Sequence, residues 1–369
     1  MISLPSRSTT LHTAETLAIG AVGGAIFTLL GFPAGLVSGS LLAVAAAGLA
    51  GRPMQVPRRL TQVIMVLVGV LLGGVVTPET LGGLASFPVS IAILLVATAA
   101  LTFATTSYLH FVHGWDARSA LLGASPGAMA QVMLLSTEYG ADMRKIAIVQ
   151  VVRVVLLTIG IPLGLSFFGL TAHGVVLPGA ETVNTTSVLE LAALIGISAA
   201  VAVIFQRFGV PGSLLFGAMM ASGFLHGTGL VAVTLPWWVA SAAIIGIGAV
   251  TGSRFANTDP RTLVQYIGAA FGSFAVALLV ASVFVVVLTM LIPVPIADVV
   301  VAFSPGAQDT MMVLALALAL DPVFVGAHHL ARYILVSVSL PILVHRLGGG
   351  PPKVPPAEAR SPTQPTIVD

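Results

Sequence analysis

The 369-residue chain has no cysteine and very little charge. Without cysteine it cannot form disulfides, thiolate metal sites or cysteine-ligated iron–sulfur clusters. Asp, Glu, Lys and Arg make up 8% of the residues, whereas a soluble globular domain carries about 25%. Hydrophobic residues account for 57%. This composition argues against a soluble enzyme or a free DNA-binding protein and indicates a polytopic membrane protein.

The motifs of several common functions are also missing. The sequence contains no phosphate-binding loop, no dinucleotide fingerprint in a βαβ context and no helix-turn-helix with a basic recognition face. Its 15 basic residues are nearly balanced by 13 acidic ones and form no basic stripe, so nucleic acid is not an expected partner. No two histidines stand four residues apart, the spacing that would point to a metal site on a helix. We therefore expect no metal and no cofactor.

Apolar segments fall into two groups of six, separated by a polar gap. A helix that crosses the hydrocarbon core needs about 20 mostly apolar residues. The segments run approximately over 15–32, 34–51, 60–77, 86–112, 118–137 and 145–170, and then over 188–206, 211–227, 236–253, 263–292, 296–319 and 322–345. The pattern predicts an internal duplication.

Recurring residues support the duplication. The sequence Ser-Pro-Gly-Ala at 125–128 recurs at 304–307, an offset of 179, and at the same offset Arg153 matches Arg332. We therefore predict two membrane repeats joined by an external linker and flanked by cytoplasmic tails, of which the C-terminal one is Pro-rich and disordered. The predicted boundaries are 1–14, 15–170, 171–187, 188–346 and 347–369.

The distribution of Lys and Arg predicts the topology, because short cytoplasmic loops collect positive charge. If all twelve segments span the membrane, Arg144, Lys145, Arg207, Arg254 and Arg261 face outward. If the Ser-Pro-Gly element of each half is a re-entrant hairpin, each half has five spans and the second is inverted. All thirteen basic residues of the loops and tails then face the cytoplasm. They are Arg7, Arg52, Arg58, Arg59, Arg118, Arg144, Lys145, Arg207, Arg254, Arg261, Arg346, Lys353 and Arg360.

The predicted fold is therefore an all-α membrane protein of about ten transmembrane helices. These form two inverted five-helix repeats, each with a Ser-Pro-Gly re-entrant hairpin or broken helix, and both termini are cytoplasmic. A kinked spanning helix and a discontinuous crossing helix are the alternative forms of the Ser-Pro-Gly element.

The Ser-Pro-Gly elements are predicted to form a substrate site. Proline removes a backbone donor and glycine relaxes the chain, and irregular backbone at membrane depth is tolerated only where it is buried in protein or lines a wet cavity. A serine oxygen could cap the returning half-helix. The candidate substrate-binding residues are Ser125, Pro126, Gly127, Gln131, Arg153, Ser304, Pro305, Gly306, Gln308 and Arg332.

Charged and titratable residues inside the apolar segments suggest what this site binds. A charge near the bilayer centre usually faces a cavity or a partner, so Arg153 and Arg332 are predicted to recognise an anion, helped by the positive ends of half-helices. An ion pair between Arg332 and Asp309, or Arg153 reaching toward the cytoplasmic face, is the alternative. Asp309, His328 and His329 are candidates for coupling a proton or cation. Structural hydrogen bonding is the alternative for the two histidines.

The paired motifs resemble the AbrB-type integral membrane protein family. The motifs are SPGAMAQVMLLSTEYGADMRKIAIVQVVRVV in the first half and SPGAQDTMMVLALALALDPVFVGAHHLARYILV in the second, with GFPAGLVSGSLLA near the start. The resemblance covers about residues 15–346 and implies a multi-pass protein of the bacterial cytoplasmic (inner) membrane. It carries two functional labels, a regulator of gene expression and an ammonia monooxygenase.

These labels suggest functions that the residues support unequally. Ammonia oxidation requires a metal centre, and the sequence offers no convergent ligand set, so we do not expect an enzyme. The predicted layout is similar to that of glutamate/sodium and 2-hydroxycarboxylate secondary transporters. The leading hypothesis is a secondary transporter or exporter of a small anionic metabolite that works by alternating access. A membrane-embedded regulator that acts indirectly on gene expression is the second hypothesis. The expected partners are the lipid bilayer, a small anion and a proton or cation, with a homodimer left open.

Overall fold

The long apolar segments fold as helices throughout the part of the chain that the structure describes. The computed structural model describes residues 7–76, 87–127, 129–170, 188–210, 212–256 and 258–347. The predicted linker 171–187 and all of the predicted C-terminal tail except Leu347 lie outside these residues. The helices are α1 (Arg7–Leu29), α2 (Gly35–Leu49), α3 (Arg58–Gly73), α4 (Phe87–Phe111), α5 (Ala117–Ala124), α6 (Met129–Glu138), α7 (Met143–Phe167), α8 (Val188–Arg207), α9 (Ser213–Gly227), α10 (Trp237–Gly252), α11 (Pro260–Leu291), α12 (Ile296–Phe303), α13 (Gln308–Ala317) and α14 (Pro322–Arg346).

Six of these described helices have the length and hydropathy needed to cross a membrane. They are α4, α7, α8, α10 extended by a short 3-10 turn to Phe255, α11 and α14. Helices α2 and α9 are apolar but have 15 residues each, about 22 Å at 1.5 Å per residue, which is shorter than the ~30 Å hydrocarbon core. Helix α1 begins at Arg7, well before the predicted boundary near residue 15.

Both Ser-Pro-Gly elements are broken, as predicted. Helix α5 ends at Ala124 and α6 begins at Met129, and α12 ends at Phe303 and α13 begins at Gln308. We call the described residues 125–127 break 1 and residues 304–307 break 2. In each break the proline cannot donate a backbone hydrogen bond, and Gly127 adopts φ +89°, a left-handed conformation that favours glycine.

In each half of the chain, an equivalent hydrogen bond joins the half-helix before the break to the start of the long helix that follows. In the first half the backbone N–H of Asp142 donates to the Ser119 hydroxyl at 3.0 Å. In the second half the backbone N–H of Asp321 donates to the Asp298 carboxylate at 2.8 Å. Asp142 and Asp321 each then cap the helix that follows, α7 or α14, by accepting its first free N–H groups. These residues are related by the offset of 179, so the duplicated sequence repeats a structural contact.

The helices pack as two bodies, each made from both halves of the chain. Body A contains α1, α2 and α3 with α8, α9, α10 and the 3-10 turn at Ser253–Phe255, whereas body B contains α4–α7 with α11–α14. Most helix contacts lie within a body, and the bodies meet chiefly where α13 packs against α3 and α10, and where α7 packs against α2. The two halves of the sequence are therefore interlaced.

Small residues allow the helices of body A to pack closely. A Cβ atom on Gly39 would collide with the backbone carbonyl of Gly23 on α1, and one on Gly73 would lie 2.5 Å from the backbone nitrogen of Gly223 on α9. Such close approach of backbones is typical of membrane helices, in which small residues at the interface increase van der Waals contact. These glycines therefore allow close packing of the helices.

The boundary between the bodies is largely apolar and brings the breaks into the interior. Met311 and Met312 of α13 are fully buried, and they belong to the same hydrophobic cluster as Phe216 and Met219 of α9. This arrangement places breaks 1 and 2 against body A.

Candidate functional site

A cavity of about 340 Å³ lies where the two breaks meet body A. Its volume is within the range of about 300–1,000 Å³ that is typical of small-molecule sites. Break 1 contributes Gly127 and break 2 contributes Pro305, Gly306 and Ala307. The breaks approach each other closely, since a Cβ atom on Gly127 would lie 4.0 Å from the carbonyl oxygen of Gly306. The structure therefore brings together the two elements that the sequence predicts to form a site.

The two bodies supply different polar groups to the cavity. Body A contributes Arg254 from the 3-10 turn and Gln206 from the end of α8. Body B contributes a larger set: Gln150, Arg153, Gln308, Asp309 and Tyr333. Among the described residues that line the cavity, the charged ones are two arginines and one aspartate, which favours binding of an anion.

Arg153 uses both Nη atoms of its guanidinium to hold the end of α5. Its two Nη atoms donate to the backbone carbonyls of Gly123 at 2.5 Å and Ala124 at 3.3 Å. These carbonyls belong to the last turn of α5, whose free oxygens carry partial negative charge. The side chain is 3% exposed, and its Nε atom has no hydrogen-bond partner. Arg153 therefore combines a structural role with an unpartnered Nε–H in a residue that lines the cavity.

Arg332 makes the equivalent contact in the second half but does not line the cavity. Its Nη1 donates to the carbonyl oxygen of Ser304 at 2.6 Å, at the end of α12, and its Nη2 contacts the ring of His329. The side chain is 3% exposed. The ion pair with Asp309, which was the alternative interpretation, is absent between these two described residues, because Asp309 pairs with Arg254 instead. The contacts of Arg332 therefore neutralise a helix end, and its predicted role in binding an anion stays a prediction.

Asp309 is the acid of the cavity and stands in the first turn of α13. One carboxylate oxygen lies 3.4 Å from Nη2 of Arg254, and the other accepts the backbone N–H of Thr310 at 3.0 Å. Position near a helix N-terminus stabilises a carboxylate because the helix dipole is positive there. Both partners are partly buried, with side-chain exposures of 29% for Arg254 and 17% for Asp309.

The serine hydroxyls of the two breaks donate to carbonyls of the preceding helix. The Ser125 hydroxyl donates to the carbonyl of Leu121 at 2.8 Å, and the Ser304 hydroxyl donates to that of Val301 at 2.7 Å. Each serine is the C-cap of the preceding helix, and Ala307 precedes α13 without a side-chain cap. The expectation that Ser304 caps the returning half-helix is therefore wrong. The Val301 carbonyl has no intrahelical partner, because the residue four positions on is Pro305, so the Ser304 hydroxyl satisfies an acceptor that the helix end leaves free. The Leu121 carbonyl also accepts the backbone N–H of Ser125.

The remaining predicted residues lie outside the cavity. Gln131 donates to the carbonyl of Ser337 on α14 at 2.8 Å, and Pro126 is buried in break 1 without lining the cavity. His328 and His329 are 0% and 2% exposed. The ring of His328 bonds Phe324 and Ser90, and that of His329 bonds the Val301 carbonyl and Arg332. These contacts match the structural alternative for the histidine pair, and their coupling role stays a prediction.

Sequence reasoning missed Arg254 as a cavity residue. The topology prediction places Arg254 in a cytoplasmic loop. In the structure its guanidinium extends from body A to Asp309 on body B. A comparison of the two repeats could have identified Arg254 as a candidate. At the offset of 179, Arg254 corresponds to Val75 and Asp309 to Ala130, so the second half carries both charges and the first half carries neither.

Comparison with known proteins gives a consistent similarity over most of the chain. Residues 36–348 match the sequence profile of a family described as "Transition state regulatory protein AbrB". The chain is 27% identical to "Uncharacterized protein YhjN" of Bacillus subtilis (strain 168), over 90% of this chain and 93% of that protein. It is 24% identical to "Putative regulator AbrB" of Escherichia coli (strain K12), over 89% of this chain and 94% of that protein.

Proposed function

The chain belongs to the AbrB family, and from this premise we propose that it is a secondary transporter of a small organic anion. The observation that carries the proposal is the cavity between bodies A and B, which is lined by both breaks and by two arginines. Substrate sites of secondary transporters commonly form where broken helices meet.

The division into two bodies provides a physical basis for alternating access. Because most helix contacts lie within a body, one body can rock or slide against the other without repacking its own interior. The boundary is mainly apolar and includes methionines on α13, and methionine side chains adapt to changing surfaces. Relative movement of the bodies would expose the cavity to one side of the membrane and then to the other.

The charges and helix ends favour an anionic substrate. Arg153 and Arg254 outweigh Asp309 in the cavity, and α13 begins there at Gln308 with Asp309 in its first turn. The positive end of a half-helix attracts negative charge. Gln150, Gln206 and Gln308 add amide groups that can bind hydroxyl or carbonyl groups of a small metabolite.

The topology belongs to the same proposal. We infer ten spans in two inverted repeats, with both breaks as re-entrant tips and both termini on the cytoplasmic side of the inner membrane. The order of helix types supports this arrangement, because a long helix, two half-helices of eight and ten residues and a 25-residue helix end each half. A transporter that sets the level of a metabolite would also act indirectly on gene expression, in keeping with the word "regulator" in the name of the Escherichia coli relative.

Uptake into proteoliposomes tests the proposal. Purified protein is reconstituted and supplied with radiolabelled acetate, lactate, succinate, malate and phosphate, each compared with protein-free vesicles. We expect saturable uptake of at least one carboxylate, and we expect Arg254→Gln to reduce it. Arg261→Gln is the matched control, because Arg261 is exposed on α11 and does not line the cavity. Absence of uptake and exchange for all five anions, with correctly folded protein, would refute the proposal.

A further inference from the structure

A groove of about 480 Å³ lies on body B, separate from the cavity between the breaks. Helices α4 and α14 line its two sides, and Leu121 of α5 and Ser125 of break 1 line it as well. No described residue lines both the groove and the cavity. Phe103 of α4 and Leu343 of α14 are exposed members of the lining. The groove, which we call the α4/α14 groove, therefore opens onto the outer surface of the protein.

Helices α4 and α14 touch where they begin and enclose the groove further along. The rings of Phe87 and Phe324 pack edge to face with their centroids 5.5 Å apart, and the hydroxyl of Ser90 lies 2.8 Å from Nε2 of His328. The residues of these two helices that line the groove lie later, within 98–107 on α4 and from 335 to 347 at the end of α14. The groove therefore occupies the second halves of two parallel helices.

The length of the groove matches the depth of one lipid leaflet. At 1.5 Å per residue, residues 98–107 span about 14 Å and residues 335–346 about 17 Å. Half of the hydrocarbon core of a bilayer is about 15 Å thick. The topology proposed above places the ends of α4 and α14 at the cytoplasmic face. The groove would then extend from near the bilayer midplane to the cytoplasmic surface.

The groove is apolar along its length and positively charged at its end. Two hydroxyl groups of its lining are used within the chain, because Thr106 donates to the carbonyl of Thr102 at 2.6 Å and Ser125 donates to that of Leu121 at 2.8 Å. Arg346 carries the only charge among the described residues that line the groove. It is the last residue of α14, is exposed and has no ion-pair partner in the described part of the chain.

We propose that the α4/α14 groove binds an anionic phospholipid of the cytoplasmic leaflet. One acyl chain lies between α4 and α14, and the headgroup phosphate binds the guanidinium of Arg346. A guanidinium can donate two parallel hydrogen bonds to a phosphate, and basic pockets between membrane helices on the cytoplasmic side are typical sites for anionic headgroups. The choice of leaflet rests on the proposed topology, whereas the site itself does not depend on the substrate of the cavity.

Other occupants match the groove less well. The segment that follows Arg346 is rich in glycine, proline and polar residues, so it offers few apolar side chains to the groove. A helix from a second copy of the chain is the other alternative. Contacts between membrane helices favour small residues, whereas Phe103, Leu335 and Leu343 present large side chains in the groove. An acyl chain adapts to such an uneven apolar surface.

The lipid would contact the element that separates the groove from the cavity. Leu121 and Ser125 line the groove. The carbonyls of Gly123 and Ala124, which lie between them in the sequence, accept hydrogen bonds from Arg153, and Arg153 lines the cavity. The end of α5 therefore has the lipid site on one side and the candidate substrate site on the other. We expect a bound acyl chain to stabilise this end of α5.

Photo-crosslinking locates the lipid on the full-length protein. Purified protein in zwitterionic detergent receives a small mole fraction of phosphatidylglycerol that carries a diazirine in its acyl chain, and the modified peptides are identified by mass spectrometry after irradiation. We expect the crosslinks to concentrate at residues 98–107 and 335–347. Excess unlabelled phosphatidylglycerol should remove them, and an equal excess of phosphatidylcholine should not. Crosslinks spread equally over the exposed faces of α8 and α11 would overturn the proposal.

Variants of Arg346 test the headgroup contact. Native mass spectrometry gives the Kd of phosphatidylglycerol, which Arg346→Gln should raise about fivefold, the equivalent of the ~1 kcal/mol that one Lys or Arg contributes near anionic lipid. Arg346→Lys keeps the charge and should retain most of the affinity. Arg207→Gln is the matched control, because Arg207 is also the exposed last residue of a helix, α8, and does not line the groove. Equal changes in Arg346→Gln and Arg207→Gln would overturn the proposal.

Filling the groove tests the acyl-chain contact. Thr102 and Ser339 line its two sides, so Ser339→Trp and Thr102→Trp should each abolish the crosslinks, whereas Ser339→Ala should keep them. Thermal unfolding without lipid shows which variants are folded. A folded tryptophan variant that is still crosslinked in the groove would overturn the proposal. A dimer of the unmodified protein that binds no lipid and is dissociated by Ser339→Trp would also overturn it, because the occupant would then be a second copy.

The outcome for the lipid site can be separated from the outcomes for topology and transport. Crosslinking and Kd are measured in detergent, so they depend neither on orientation nor on a transported anion. Absence of groove crosslinks would overturn the lipid site and leave the transport function standing. Groove crosslinks without uptake of any of the five anions would support the lipid site and refute the transport function. External labelling of Glu138→Cys in intact cells would overturn the assignment to the cytoplasmic leaflet.

Discussion

Arg153 and Arg332 provide a matched pair of variants that separates structural support from substrate binding. They occupy equivalent positions of the two halves, both are 3% exposed, and both donate to carbonyls at the end of a half-helix. Only Arg153 lines the cavity and has an unused Nε–H. We therefore expect Arg153→Met and Arg332→Met to have similar effects on stability and different effects on binding.

The magnitude of the stability change follows from the hydrogen bonds that are lost. A hydrogen bond to a charged group contributes about 1.5–3 kcal/mol, and a buried carbonyl left without a partner costs about 1–3 kcal/mol. Removing the guanidinium also removes the cost of keeping a buried charge away from water, which offsets part of the loss. We expect each variant to lower the free energy of unfolding by about 2–4 kcal/mol.

The effect on binding should differ between the two arginines. Loss of one donor to a charged ligand, about 1.5–3 kcal/mol, corresponds to a Kd raised roughly 10- to 100-fold. We expect this change in Arg153→Met only. Because Arg332 does not line the cavity, Arg332→Met should leave the Kd of the folded fraction within about threefold, a free-energy change near 0.6 kcal/mol.

Both quantities can be measured on the same purified samples. Denaturant titration in mixed micelles gives the free energy of unfolding, and equilibrium dialysis gives the Kd for the carboxylate that the uptake panel identifies. Arg261→Met, at an exposed position on α11, serves as the control and should change stability by no more than about 0.5 kcal/mol. An equal rise in Kd in Arg332→Met and Arg153→Met would show that the assignment of these two arginines is incorrect.

Two more predictions follow from the packing and the proposed topology. Gly39→Ala should lower the free energy of unfolding by about 1–3 kcal/mol or more, because its Cβ would meet the backbone of Gly23. Gly196→Ala has open space around it and should be neutral or stabilising. Thermal unfolding in detergent compares the two variants, and equal changes would contradict the packing argument. An impermeant thiol reagent added to intact cells should label Thr228→Cys and leave Glu138→Cys unlabelled. Both positions are exposed in the structure. External labelling of Glu138→Cys would contradict the re-entrant form of break 1.

Periodicity and duplication in the sequence were sufficient to predict most of the helical elements. The apolar segment predicted at 145–170 corresponds to α7 at Met143–Phe167, and the predicted breaks fall at Pro126 and Pro305. These features are local, because a run of apolar residues and a missing backbone donor act on neighbouring residues. The repeat offset also predicted that Arg153 and Arg332 occupy equivalent positions.

The pairing of charges could not be predicted, because it depends on how the two bodies meet. Arg254 and Asp309 are 55 positions apart in the sequence, and their contact requires α10 and α13 to be neighbours. Hydropathy indicates which segments are buried without indicating which ones pack together. The same limitation explains why the alternative interpretation of Arg332 paired it with Asp309, whereas its guanidinium reaches Ser304 at the other side of the break.

The interlaced construction of the bodies has a consequence for biosynthesis. The glycine face of α3 packs against α9, and α4 packs against α11, so these early helices leave the ribosome before their partners exist. They must therefore reside in the bilayer with lipid, or with an insertion chaperone, covering surfaces that are later buried. We expect the first half expressed alone to be degraded rapidly, whereas the two halves produced together as separate chains would assemble. We therefore expect the fold to be completed only after the second half of the chain has been synthesised.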